Sequence, residues 1–150
     1  MKHIYLLILA ITFNSMVIAQ DMNQIKNYSN ISIEELGNIP HFETLADYNL
    51  STFDEKSLDK IDKENAHLIK QYNIVVFLGV WCSDSKELVP AFVNYLNNIG
   101  VNKDNIYFYA LDESKQSKDK LEKEMDVNFV PTFIWIDKET GIEKGRIAIN

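Results

Sequence analysis

A chain of 150 residues with 46% hydrophobic and 25% charged positions has the size and balance of one globular domain with a real core. A formal charge of −7 and a pI near 4.9 argue against nucleic-acid binding, which needs a basic face, and against an electrostatic anchor on anionic lipid. The single cysteine cannot staple its own fold.

The N-terminus reads as a targeting segment. Met1-Lys2-His3 is a short positive start, Ile4 to Phe13 is an apolar run, and Val17 and Ala19 are the small residues expected before a cleavage point at Gln20. A membrane anchor is the rival reading. The apolar stretch is interrupted by Thr12, Asn14 and Ser15 and falls short of the roughly 20 residues a spanning helix needs. No cysteine stands at the cleavage point, which argues against a lipid anchor. Residues 1–19 are therefore expected to be a signal peptide, with no membrane attachment after cleavage. Export leads to a compartment where disulfides form. An odd cysteine there points to a reactive thiol or an intermolecular bond, with a buried inert cysteine as the bland alternative.

Residues 20–53 form an N-terminal extension. It begins rich in Asn, Gln and Ser, with one helical turn at Ser32 to Leu36 ending at Gly37. Pro40 punctuates, and the apolar residues from Phe42 to Phe53 fit no period. Asp54 to Tyr72 is predicted helical, with Asp54 as N-cap and Leu58, Ile61, Asn65, Leu68 and Ile69 near one face. Ile74 to Leu78 is a continuous apolar run, as in a central strand buried on both faces. Glu87 to Ile99 is a helix with Leu88, Phe92, Tyr95, Leu96 and Ile99 inward. Pro90 lies inside it, where a kink is expected, and Gly100 closes it. Asn105 to Leu111 is a second strand, Ser117 to Met125 a short charged helix, and Thr132 to Ile136 a third strand. Asp137 to Gly141 is a turn leading into an antiparallel strand, Ile142 to Ile149. The order predicts an α/β layer structure with a mixed sheet over residues 54–150.

The chemistry gathers in Trp81-Cys82-Ser83-Asp84-Ser85-Lys86, at the turn between the first strand and its helix. The first N–H groups of a helix and its dipole favour negative charge there, so they favour thiolate over thiol. Lys86 adds positive charge. Asp84 opposes a second negative charge, although a carboxylate is equally at home at a helix start. Trp81 shields one side of the sulfur or simply packs in the core. A dithiol site would carry a second cysteine where Ser85 stands, whose hydroxyl can donate to the thiolate or help cap the helix. No metal is expected: past the leader the chain offers one cysteine with His41 and His67, too few ligands for a structural zinc. No phosphate-binding or serine-hydrolase motif is present. Asn27, Asn30 and Asn49 begin Asn-x-Ser triplets, relevant only where exported proteins are glycosylated.

Together, Trp81-Cys82-x-x-Ser85-Lys86, Pro90 beyond it and Val130-Pro131-Thr132 at the third strand resemble the thioredoxin family, whose Trp-Cys-x-x-Cys-Lys signature here lacks its second cysteine. The resemblance covers roughly Asp54 to Asn150. The run WCSDSKELVP is especially similar to exported bacterial thioredoxin-like proteins near the TlpA-type branch that carry Cys-x-Asp-Ser. The resemblance implies the thioredoxin fold, a mixed central sheet flanked by helices. The family's final helix is expected to be lacking, leaving one sheet face less covered unless residues 20–53 cover it or the chain is a truncated relative. It implies a cis bond between Val130 and Pro131, against the plainer reading of a strand-start proline. Val130, Pro131 and Thr132 then form a docking edge for a substrate segment.

Cys82 is then the nucleophile, Ser85 replaces the resolving cysteine, and Lys86 and Trp81 flank the sulfur. The family's buried carboxylate on the central strand has no counterpart in Ile74 to Leu78, and the cysteine pair plus histidine of copper-delivery relatives is absent. The function implied is an exported thiol–disulfide oxidoreductase, in the bacterial periplasm, acting through one cysteine by mixed disulfides. No cofactor is expected, and the partners are protein thiols and disulfides or a small thiol. The alternatives are a non-catalytic peptide-binding or protein-binding module, and a dimer linked through Cys82.

Overall fold

The computed structural model describes residues 31–51 and 53–150. The expected signal peptide and the first part of the extension, residues 20–30, lie outside them. Four strands, β1 (Tyr72–Leu78), β2 (Ile106–Ala110), β3 (Thr132–Asp137) and β4 (Glu143–Ala148), form one sheet in the order β2-β1-β3-β4. β1 runs parallel to β2 and antiparallel to β3, and β4 returns antiparallel to β3. The parallel step needs a crossover, supplied by the helix Ser83–Asn98. This is the mixed α/β sheet flanked by helices of the thioredoxin fold.

β1 lies inside the sheet, and Ile74 through Leu78 are wholly buried, which is why its apolar run has no polar alternation. Its side chains part by the period of two: Ile74, Val76 and Leu78 enter one core cluster, Val75 and Phe77 the other.

The extension is part of the first core. Ile33, Leu36, Phe42 and Leu45 are buried among Val89, Val93, Leu96 and Phe108, so residues 31–48 pack as one body with the domain. The helix α1 (Ile33–Leu36) is short but fully capped: Ser32 Oγ accepts from the Glu35 N–H at 3.1 Å while the Glu35 carboxylate accepts from the Ser32 N–H at 2.8 Å. Gly37 follows in an ordinary right-handed conformation; it is needed for room, since a Cβ there would lie 2.9 Å from the Ala46 nitrogen.

Three elements depart from expectation. First, Asp54 caps a 3-10 turn, Glu55–Ser57, and the helix α2 (Lys60–Ile69) starts later, under the carboxylate of Asp59. Its inward face holds in part: Ile69, and Leu58 ahead of the helix, pack on the core and Asn65 turns inward, as expected. Ile61 and Leu68 are 67% and 53% exposed, whereas Ala66 is buried and Asp62 and Asn65 bond to Tyr95: the Tyr95 hydroxyl donates to Asp62 at 3.1 Å and accepts from the Asn65 amide at 3.0 Å. The helix docks by hydrogen bonds that a count of apolar positions does not register. Second, α3 (Ser83–Asn98) begins a turn earlier than predicted, with Cys82 itself as N-cap. Pro90 is buried within it, and Gly100 beyond its end has φ +74°, where a Cβ would also run into the Phe53 ring. Third, the helix predicted from Ser117 shrinks to α4 (Leu121–Glu124). Lys120 takes φ 57°, which ends helix propagation from the N-terminal side, and Ser117 turns its N–H and hydroxyl to the Glu122 carboxylate.

The hairpin follows expectation. The Asp137 carboxylate accepts from the Glu139 and Thr140 N–H groups and the Thr140 hydroxyl at 2.8–3.1 Å, and Gly141 takes φ 69°. Among the described residues no helix follows β4. Ile147, paired with Phe133, is 53% exposed, and no described helix is long and apolar enough to cross a membrane.

Candidate active site

The site is built at the C-terminal end of β1. The chain leaves the sheet at Gly79 and turns tightly, with the Cys82 N–H donating to the Gly79 carbonyl at 3.0 Å and the Lys86 N–H to the Cys82 carbonyl at 3.1 Å. Cys82 thus stands at the head of α3, half-buried and in no disulfide. From the other side comes the segment before β3. The Cys82 thiol donates to the Val130 carbonyl, sulfur to oxygen 3.5 Å. The peptide bond from Val130 to Pro131 is cis. Two segments 48 residues apart in sequence are therefore brought into contact at the sulfur.

Ser85 is completely buried, and its hydroxyl accepts the Gly79 N–H at 3.1 Å. That N–H has just left the strand ladder and would otherwise be a buried donor without a partner. The serine in the place of a second thiol therefore braces the turn, a role other than the two expected for it. Trp81 is held along the Nε1 edge of its indole. Nε1 donates to the Leu111 carbonyl at 3.0 Å, and the ring lies over Gly79, where a Cβ would be 2.7 Å from Cε2. Trp81 and Cys82 both pack against the second core cluster, so the tryptophan serves packing and the frame of the sulfur together.

Thr132 is 1% exposed, and its hydroxyl donates to the Phe129 carbonyl at 2.7 Å. Its side chain thus braces the segment that carries Val130, which is itself 5% exposed. Lys86 is half-buried and Asp84 exposed in the first turn of α3. His41 and His67 are exposed, and no group of three His, Cys, Asp or Glu side chains that could hold a metal occurs among the described residues. Three contributors escaped the sequence reading. Gly79 and Leu111 act through backbone groups, which carry no residue signature. Phe129, 36% exposed beside Val130 with the Lys115 ammonium 5.2 Å from its ring, stood in no motif.

Chemically, the arrangement holds a reachable sulfur at a helix start, with one carbonyl in contact and no second thiol in the chain. It is equipped for nucleophilic attack at sulfur, and it cannot complete a dithiol cycle by itself.

No protein-family model matches the chain, and no curated protein matches it. Among solved structures it is similar to thioredoxin O2 from Arabidopsis thaliana in the oxidized state, at 18% identity over 62% of this chain and 80% of that one, with a TM-score of 0.39. It is similar to mitochondrial thioredoxin 3 from Saccharomyces cerevisiae, oxidized form, at 24% identity over 56% and 74%, TM-score 0.36. A third similar chain, at 26% identity over 63% and 85%, TM-score 0.36, belongs to a structure of the thiol resolving mechanism in yeast mitochondrial 1-Cys peroxiredoxin via glutathione/thioredoxin systems. The thioredoxin fold is defined by this chain's own sheet order and crossover helix.

Proposed function

We propose that this chain is a thioredoxin-like thiol–disulfide oxidoreductase that works through Cys82 alone. The observation that carries the reading is the meeting of the Cys82 sulfur, at the N-cap of α3, with the Val130 carbonyl at 3.5 Å. In the reaction, the Cys82 thiolate attacks one sulfur of a disulfide. The Cys82–substrate disulfide forms, and the other half leaves as a thiolate. An external thiol, of a protein or a small molecule, then attacks that mixed disulfide. Cys82 leaves as thiolate, and the external thiol ends in a disulfide with the substrate. Each step is an exchange in which one disulfide breaks as another forms: the first moves the disulfide onto Cys82 and frees one substrate sulfur as a thiol, and the second passes it to the external thiol and returns Cys82 as thiolate. Val130, Pro131 and Thr132 form the edge on which a substrate segment lies, and Trp81 and Lys86 flank the sulfur. The leader at residues 1–19 supports export, and the Cys-x-Asp-Ser run supports a place near the exported bacterial TlpA-type proteins, in the periplasm.

The test incubates the protein with an aromatic disulfide and with a peptide disulfide, quenches with acid, and reads adducts by mass. The expected result is a mixed disulfide on Cys82 that a small thiol releases. Absence of any adduct on folded protein, when the unfolded protein forms one, sinks the reading. A second reading, a binding module for peptides, draws on Phe129, an aromatic ring left exposed beside Val130. It predicts that Cys82→Ala leaves partner binding intact. A dimer linked through Cys82 predicts a doubled mass on non-reducing gels that Cys82→Ala abolishes.

A further inference from the structure

β4 closes one side of the sheet, and among the described residues no strand pairs with its outer edge. The opposite edge differs, since Ile31 bridges Phe108 of β2 there. An open edge presents a row of N–H and C=O groups, which is a template for another strand.

The ladder fixes which groups of β4 face outward. The Ile149 N–H donates to the Pro131 carbonyl at 3.1 Å. In the same register Ile147 stands opposite Phe133 and Gly145 opposite Trp135. Bonding alternates along an antiparallel ladder, so Gly145, Ile147 and Ile149 turn their backbone groups to β3, and Arg146 and Ala148 turn theirs outward. Beyond Gly145 the register slips at a bulge. The regular edge therefore runs from Gly145 to Ile149, and Ile147 is its middle. Side chains divide by the period of two. Arg146 lies on the face of Ile134 and the second core cluster, tied to Glu143 at 2.6 Å and to the Asp126 carbonyl at 3.2 Å. Ile147 lies on the other face beside Phe133, whose ring is 4.6 Å from that of Phe92. It is the one large apolar side chain of the described strands left exposed, at 53%.

We infer that β4 pairs antiparallel with β4 of a second copy of this chain, about a two-fold axis at Ile147. The strand's own sequence selects this occupant and this register. Ile147 then faces Ile147 of the second copy in a pair without backbone bonds, where side chains come closest. Gly145, at which a Cβ would meet nothing within 4 Å, faces Ile149 and leaves it room. Arg146 faces the small Ala148, and the two exchange both backbone bonds. Neighbouring registers fail. An axis at Arg146 sets arginine against arginine, and one at Gly145 sets Lys144 against Arg146; like charges directly opposite are destabilising. An axis at Ala148 shortens the regular overlap. The contact uses the same patch on both copies, so it closes at two. Because the axis reverses strand direction, the two Cys82 sites lie at opposite ends of the joined sheet, and both thiols stay free.

The experiment is sedimentation equilibrium of the full chain from micromolar to millimolar concentration, with reductant present to exclude a link through Cys82. A reversible monomer–dimer equilibrium is expected. Ile147→Glu sets two carboxylates opposite each other and should raise the dissociation constant by roughly tenfold or more. Ala148→Pro removes an outward N–H, leaves the bonds to β3 in place, and should also weaken the dimer. Cross-linking reads the register. In a Cys82→Ala background, Ile147→Cys is expected to form a disulfide dimer under a mild oxidant. Ala148→Cys should not, since its own copy across the axis is displaced diagonally to roughly 7–8 Å, beyond the reach of a disulfide. A monomer throughout the concentration range overturns the inference. So does association that neither Ile147→Glu nor Ala148→Pro weakens, or cross-linking at position 148 as ready as at position 147.

Discussion

Replacing Gly79 by alanine tests the frame of the site most directly. The new Cβ would lie 2.7 Å from Trp81 Cε2, 2.9 Å from Nε1 and 3.0 Å from Cζ2. Carbon atoms rest at about 3.5–4.0 Å, so the indole must retreat by about 1 Å. Its Nε1, 3.0 Å from the Leu111 carbonyl, then leaves hydrogen-bond range. Losing that bond costs about 0.5–1.5 kcal/mol, and forcing a methyl group into a packed contact costs about 1–3 kcal/mol. Alanine returns about 0.4–1 kcal/mol through the unfolded chain, provided the backbone accepts it. The net expectation is a loss of about 0.5–4 kcal/mol. Urea unfolding in a Trp135→Phe background, where Trp81 alone reports, gives both readings at once: a lower midpoint and a shifted emission of the folded state. If stability stays within about 0.5 kcal/mol, the scatter of ordinary surface changes, and the emission is unmoved, the indole is not clamped over Gly79 and the account of the turn is wrong.

Ser85→Ala leaves the Gly79 N–H as a buried donor without an acceptor, and should cost about 1–3 kcal/mol by urea unfolding; a change near zero would mean the hydroxyl does not brace the turn. Phe42→Ala removes a wholly buried ring and should cost about 3–5 kcal/mol, in a single transition shared with the sheet. An early separate transition would show the extension folding on its own. Asp137 carries a carboxyl held below its ordinary value, first by the Thr140 N–H and then by the Thr140 hydroxyl. A lowered folded value adds stability above the unfolded value, near about 3.9, and loses it as pH falls through the folded value. Asp137→Ala should therefore unfold at a lower temperature than wild type at neutral pH, with the gap closing in strong acid. A gap that is the same at both pH values contradicts the hairpin's ionic reading.

The sheet was legible because its signals are local. β1 is apolar without a break because it is central, and β3 and β4 are joined by Asp137 and Gly141, whose side chain and conformation make the turn by themselves. What the sequence obscured was decided across the chain. Ile61 and Leu68 satisfy a helical stripe yet stay exposed, and α2 turns Asp62 inward beside the expected Asn65 because Tyr95, 33 and 30 residues away, offers them a hydroxyl. The segment from Ser117 looks helical until the Glu122 carboxylate captures the Ser117 N–H that such a helix would have left exposed. Around the 3-10 turn Glu43–Asp47 no helical or strand period can hold, and Phe42 and Leu45 serve as single buried anchors.

At the site the same division holds, with a consequence for the missing thiol. Cys82 is marked by its place between strand and helix, and that mark is local. The task of Ser85 is not, since it depends on where the Gly79 N–H points once the strand has ended. Read by residue type, Ser85 is a cysteine that was lost. Read by geometry, it is a strong hydrogen-bond acceptor in a fully buried turn, where a thiol would accept only weakly. Ser85→Cys would therefore place two sulfurs in the motif while weakening the turn that aims the first. Dithiol turnover in that variant would depend on whether the Gly79 N–H finds another acceptor, not on the sulfur count alone. The single-thiol arrangement is thus consistent with a turn stabilised for one cysteine.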